Sequence, residues 1–247
     1  MSQSIGGSIL VVDDDVDNCR NVFDVFTDLG YRVDTAQNGE AALRLIQSNP
    51  YDVALLDLKM PGMDGLELYR EIKLRRSGTV AIIITAYAGS ATAERALAAG
   101  AWRVMPKPMD IPELLGLVGE AMEQPLVLLV DDDHDLCTNL WEVLRLHGYR
   151  TCIASDEPEA VERIQERNYQ VILIDLKLQV GEGRRVFDAA QAVTPRTRTI
   201  LITGARTEIE HHIGPLVSKG ADAVCYKPFD MPQLLAALDR LTGKAGV

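Results

Sequence analysis

Asp13 and Asp14 directly follow the apolar run Ile9–Val12, and Asp57 closes the run Val53–Leu56. Thr85 closes Val80–Ile84, and Lys107 follows the place of a fifth strand. If these runs lie side by side as parallel strands, the five side chains converge on one edge of the sheet. Three carboxylates so close repel one another and present only hard oxygen donors. Mg²⁺ fits such a set, because it keeps part of its water shell and leaves room for phosphate oxygens. The lysine supplies a compact positive charge for an incoming anion, and the threonine hydroxyl a hydrogen bond.

The set occurs twice. Ile9-Leu10-Val11-Val12-Asp13-Asp14-Asp15 returns, 118 residues on, as Val127-Leu128-Leu129-Val130-Asp131-Asp132-Asp133. The same offset relates Gly30-Tyr31-Arg32 to Gly148-Tyr149-Arg150, Asp57-Leu58-Lys59 to Asp175-Leu176-Lys177, and Ile84-Thr85 to Ile202-Thr203. Gly100-Ala101 and Lys107-Pro108 return as Gly220-Ala221 and Lys227-Pro228 at an offset of 120, so two residues are gained between Thr203 and Gly220. So long a period is a duplicated domain rather than a solenoid repeat. The boundary falls at Gln124-Pro125, giving domains over 1–124 and 125–247.

Each half alternates two patterns. Short β-branched runs (Ile9–Val12, Val53–Leu56, Val80–Ile84; then Val127–Val130, Val171–Ile174, Thr199–Ile202) read as strands covered on both faces. Between them Val22, Phe23, Phe26 and Leu29 recur at helical spacing, as do Leu66, Leu68, Tyr69 and Ile72. Asp110 and Pro112 read as the N-cap and first-turn proline of a further helix through Leu114, Leu117 and Val118. The expected fold class is α/β, a doubly wound parallel sheet in each half.

Composition narrows the function. Of 247 residues, 47% are hydrophobic and 25% charged, an ordinary globular balance. The first half carries 11 basic against 18 acidic residues and the second 14 against 18, net −7 and −4 within a total of −11. Neither half offers a basic footprint, so direct nucleic-acid binding is not expected. No apolar stretch approaches a membrane span, and the N-terminus lacks the pattern of a signal peptide. Cys19, Cys137, Cys152 and Cys225 stand far apart, which suits free thiols in the cytoplasm.

At these residues the sequence strongly resembles the CheY-like receiver domain of bacterial two-component response regulators, as two tandem copies covering essentially the whole chain. The resemblance implies two five-stranded (βα)5 flavodoxin-like domains. It implies that Asp57 attacks the phosphorus of a phosphohistidine and becomes an aspartyl phosphate, a covalent nucleophile at work. Asp14 matches the direct Mg²⁺ ligand, Asp13 the outer acidic residue and the Lys59 carbonyl the third protein ligand. Thr85 and Lys107 match the switch hydroxyl and the phosphate-binding lysine. In the second copy these roles fall to Asp132, Asp131, Lys177 (carbonyl), Thr203 and Lys227, with Asp175 as acceptor. The Lys107-Pro108 and Lys227-Pro228 bonds are cis in that family. Such a protein is a self-catalysed phosphoacceptor rather than a turnover enzyme. Its partners are a histidine kinase or phosphotransfer protein upstream and a protein downstream, since these 247 residues hold no helix-turn-helix or cyclase segment. The sequence leaves a homodimer open.

Some positions depart from the family. Val104 and Val224 stand where many receivers carry the aromatic that rotates on activation, and Trp102 and Tyr226 have the wrong strand parity or distance to replace it. After the first acceptor comes the family's usual Met60-Pro61-Gly62-Met63-Asp64-Gly65; after the second comes Leu178-Gln179-Val180-Gly181-Glu182-Gly183. Gly214-Pro215, in the insertion beside His211 and His212, is expected to break or bend the fourth helix of the second copy. Adjacent His211 and His212 point different ways on a helix and make no metal pair. Lys59 and Tyr87 are expected to obstruct the path of the hydrolytic water. Two other readings stay open: a phosphorylation-independent scaffold of pseudo-receivers, and a Mg²⁺-dependent aspartyl-phosphate phosphatase. The second needs an acid–base aspartate two residues beyond the nucleophile, where Lys59 and Lys177 stand.

Overall fold

The computed structural model describes residues 6–86, 89–193, 197–204 and 209–244. The chain divides into two compact units, Met1–Gln124 and Pro125–Val247. In the first, strands and helices alternate as β1 (Ser8–Val12), α1 (Val16–Asp28), β2 (Arg32–Ala36), α2 (Gly39–Ser48), β3 (Val53–Asp57), α3 (Gly65–Arg75), β4 (Val80–Thr85), α4 (Ser90–Ala98), β5 (Arg103–Pro106) and α5 (Ile111–Glu123). The second repeats the order with β6 (Leu126–Val130), α6 (His134–Leu146), β7 (Arg150–Ala154), α7 (Glu157–Glu166), β8 (Val171–Asp175), α8 (Gly183–Val193), β9 (Arg198–Thr203), α9 (Ile209–Ser218), β10 (Ala223–Tyr226) and α10 (Met231–Thr242).

Each unit holds one parallel five-stranded sheet, ordered β2-β1-β3-β4-β5 in the first and β7-β6-β8-β9-β10 in the second. The order reverses beside β1 and β6, and ligands of open α/β sheets bind at such a switch point. Alternation along the strands decides which side chain faces which layer. Leu10, Val12, Ala54, Leu56, Ala81 and Ile83 pack with α2, α3 and α4. Their neighbours Ile9, Val11, Val53, Leu55, Ile82 and Ile84 pack with α1 and α5. The second sheet is covered in the same way by α7, α8 and α9 on one face and α6 and α10 on the other. Both faces being covered explains why β1, β3, β6 and β8 are buried along their whole length. A fully buried Leu or Ile in such a strand contributes roughly 1.5–3 kcal/mol.

Asp110 caps α5 as its sequence predicts, accepting from Glu113 N at 2.8 Å. Two expectations are corrected. Along α1 the stripe against the sheet is Cys19, Val22 and Phe26, whereas Phe23 and Leu29 are exposed, at 38% and 57%. The apolar spacing there is wider than the face that one sheet can cover. Gly214-Pro215 does not break the fourth helix of the second unit, because α9 runs from Ile209 through Pro215 to Ser218. Proline removes the hydrogen bond its own nitrogen would have made and crowds the carbonyl four residues back, yet the chain does not leave the helix there, and Lys219 N donates to Pro215 O at 3.0 Å. The side chains of His211 and His212 lie outside the described residues. Among the described residues, no helix is long and apolar enough to cross a membrane.

Candidate functional site

The ends of β1, β3 and β4 and the turn after β5 bring one cluster together. Asp13 and Asp57 are buried at 4% and 6% exposure, while Asp14 is exposed. The three carboxylates offer oxygens that all lie within 4.8 Å of one another. Lys107 Nζ enters between two of them, donating to Asp13 Oδ2 at 2.8 Å and Asp57 Oδ2 at 2.9 Å. Burial pulls the Lys107 ammonium down, but the hydrogen bonds and attraction of Asp13 and Asp57 outweigh it and hold its pKa above the ordinary value.

Backbone bonds fix the frame. Asp15 N donates to Asp13 Oδ1 at 2.9 Å, and Lys59 N to Asp57 Oδ1 at 3.3 Å. Leu58 N donates to Ile84 O, and Lys107 N to Thr85 O, both at 2.9 Å. Thr85 is buried at the end of β4. The aspartate run divides its work, since Asp15 caps α1 through Asp17 N and Asn18 N and leaves Asp13 and Asp14 to the site.

The second unit rebuilds the arrangement. Asp131, Asp132 and Asp175 form the matching carboxylate trio, and Lys227 Nζ lies 2.6 Å from both Asp131 Oδ2 and Asp175 Oδ2. Burial raises the pKa of the Asp131 carboxyl, with Lys227 opposing. Lys177 N donates to Asp175 Oδ1 at 2.8 Å, Lys227 N donates to Thr203 O at 2.8 Å, and Thr203 is buried. Both Lys–Pro bonds are cis. All-oxygen trios at a strand edge, each beside one lysine, are a donor set that suits a hard divalent cation such as Mg²⁺.

Sequence reasoning missed two pairs of residues here. The Cys19 thiol donates to Asp13 O at 3.3 Å, and Cys137 to Asp131 O at 3.4 Å. Each lies under the acidic residue of its own unit, and burial pushes the Cys137 thiol up to about 12. Gly65 and Gly183 are the second pair. A Cβ on Gly65 would stand 2.2 Å from Asp57 O, and one on Gly183 2.1 Å from Asp175 O. Both pairs obey the 118-residue offset, which is the signal that could have found them. Gly65→Ala is therefore expected to shift the backbone at Asp57, costing about 1–3 kcal/mol. Urea melts would register it as a lower midpoint.

The match to known proteins agrees with this geometry. Residues 9–118 and 127–239 each match the response regulator receiver domain family. The chain belongs to that family, twice over. A response regulator receiver protein of Anaeromyxobacter sp. (strain Fw109-5) is 32% identical over 237 residues, 96% of each chain. The transcriptional regulatory protein ZraR of Klebsiella oxytoca is 39% identical over 114 residues, 46% of this chain but only 26% of ZraR. Among solved structures, the response regulator TrrA of Thermotoga maritima in complex with Mg(2+)-BeF shows 34% identity, covering 47% of this chain and 98% of that one at a TM-score of 0.43.

The Lys59 and Lys177 side chains are exposed beside their receivers' sites, and Tyr87 lies outside the described residues. Val104 pairs in register with Ile83 and packs against the α2–α4 layer, and Val224 pairs with Leu201 in the second receiver. The position of the rotating aromatic is thus filled by a short aliphatic side chain in both.

Proposed function

We propose that both receivers accept a phosphoryl group, on Asp57 and on Asp175, from a histidine kinase or a phosphotransfer protein. The observation that carries this reading is the lysine ammonium held beside a buried strand-end aspartate, 2.9 Å away in one receiver and 2.6 Å in the other. In the reaction an oxygen of the Asp57 carboxylate forms the new bond to phosphorus while the donor's N–P bond breaks, and the imidazole leaves with that electron pair. Mg²⁺, held by Asp14, Asp57 and the Lys59 carbonyl in one receiver and by Asp132, Asp175 and the Lys177 carbonyl in the other, would offset the phosphoryl charge. Asp13 and Asp131 orient the lysine. Lys107 and Lys227 exchange a carboxylate partner for a phosphoryl oxygen as charge develops there. The Thr85 and Thr203 hydroxyls supply a further hydrogen bond at the same strand edge.

The aspartyl phosphate is the product, so the chain acts as an acceptor that reacts once per phosphorylation rather than as a turnover enzyme. Output runs through protein contacts, either to a downstream partner or between two copies. The acidic surface, at a net charge of −11, favours that reading over nucleic acid, and the four free thiols suit a cytoplasmic protein. Mg²⁺-dependent labelling of the full chain by acetyl phosphate, repeated with Asp57→Asn and Asp175→Asn, tests the proposal.

A further inference from the structure

Beside the loop that leaves the acceptor, a small and a large residue have changed places between the two receivers. In the first, Gly39 opens α2 and faces Met63; a Cβ at Gly39 would meet Met63 Sδ at 2.8 Å. The 118-residue offset puts Glu157 and Gly181 in those positions. There the long side chain comes from the helix instead, since a Cβ at Gly181 would meet Glu157 Cβ at 2.3 Å and Oε2 at 2.4 Å. The left-handed residue of the turn moves too. It is Gly62 in the first receiver (φ 81°) and Gly181 in the second (φ 88°), one place further along the repeat.

The capping changes with it. In the first receiver Asp64 accepts from Leu66 N and Glu67 N, and the Glu67 carboxylate accepts from Asp64 N at 3.2 Å, a capping box closed within α3 itself. The offset replaces Asp64 with Glu182 and Glu67 with Arg185. Now Glu182 N donates to Glu157 Oε2 at 2.7 Å, Arg185 Nη1 lies 3.5 Å from Glu157 Oε1, and Glu157 N donates to Val180 O at 3.3 Å. The methionine plug, and the Glu67 carboxylate that accepts from the N-cap amide, have been replaced by one carboxylate reaching across from α7. Arg185 is 68% exposed, so its ion pair adds little, and the charge-assisted amide bond carries the contact.

We propose that Glu157 is a positioning residue for the second phosphoacceptor site. It holds the loop over 176–183, and with it the Lys177 carbonyl, where Mg²⁺ binding needs it. The loop's ends are already anchored, by Leu176 N on Ile202 O at 3.1 Å and by the close approach of Gly183 to Asp175 O. Glu157 grips the stretch between them. The inference rests on the reading of Asp175 as an Mg²⁺-dependent acceptor.

The test uses the full chain with the first site silenced by Asp14→Asn and Asp57→Asn, and reads Mg²⁺ affinity by calorimetry and amide exchange over residues 177–183. Glu157→Ala is expected to weaken Mg²⁺ binding about fivefold, less than the roughly 10-fold that loss of a group bonded directly to a metal ligand causes, and to release the Glu182 amide to exchange. Glu157→Gln keeps an acceptor oxygen for that amide and is expected to stay within about threefold of the parent. Glu157→Asp, one methylene short, is the milder variant should the alanine fail to fold, and it weakens binding in the same direction. Faster loop exchange with unchanged Mg²⁺ affinity in the alanine and aspartate variants overturns the clamp alone. Failure to bind Mg²⁺ with Glu157 intact overturns both the clamp and the reading of Asp175.

Discussion

Lys107→Ala is expected to slow phosphorylation of Asp57 by about 100-fold, the usual effect of removing one preorganised donor from developing charge. Its second effect is on stability. Lys107 stands 2.8 Å from Asp13 and 2.9 Å from Asp57, both buried, and without it two carboxylates face each other with no cation between them. A hydrogen bond to a charged group contributes about 1.5–3 kcal/mol, and the partial exposure of Lys107 puts this case toward the lower figure. The two effects separate on adding Mg²⁺. Mg²⁺ is expected to restore stability, because it too would neutralise the trio, but not the rate, because the proposed contact of the lysine with the phosphoryl oxygens would be missing. Among the described residues, the carboxylate trio and lysine of the second site are Asp131, Asp132, Asp175 and Lys227, none of them altered here, so Asp175 labelling is expected to stay at the parent rate. Labelling kinetics and urea melts with and without Mg²⁺ check both parts. Equal rates in the variant and the parent would remove Lys107 from the mechanism.

Asp14→Asn is expected to act with opposite signs on the two states of the chain. Asp14 is exposed and shares a 4.8 Å cluster with Asp13 and Asp57. Removing its charge relieves repulsion in the metal-free chain, which becomes more stable. The same change takes one anionic ligand from Mg²⁺ and weakens its binding by about tenfold or more. Melting temperatures should therefore cross, the variant above the parent in EDTA and below it in Mg²⁺. Asp132→Asn repeats the pattern in the second receiver. A variant that melts below the parent in both conditions would show that Asp14 is structural.

What was legible in the sequence follows from what repeats and from what lies at strand ends. Asp13, Asp14, Asp57, Thr85 and Lys107 needed only the apolar runs before them and the rule that parallel strands share a carboxyl edge. The second set needed only the offset. Side chains whose role depends on contacts across the fold were not legible. Spacing alone marks Phe23 and Leu29 as apolar on α1, but the sheet's width chooses Cys19, Val22 and Phe26. Pro215 looks like a break until the turns around it hold. The divergent second loop could be seen, but not that Glu157, 25 residues before Glu182, had taken over its cap.

Two separate Mg²⁺-dependent aspartyl acceptors on one chain would take up one phosphate each. Phosphate stoichiometry after saturation with acetyl phosphate in Mg²⁺ tests it most directly. Two phosphates per chain are expected for the parent, one for Asp57→Asn or Asp175→Asn, and none for the double variant or in EDTA. Label persisting in the double variant, or absent from the parent, contradicts it.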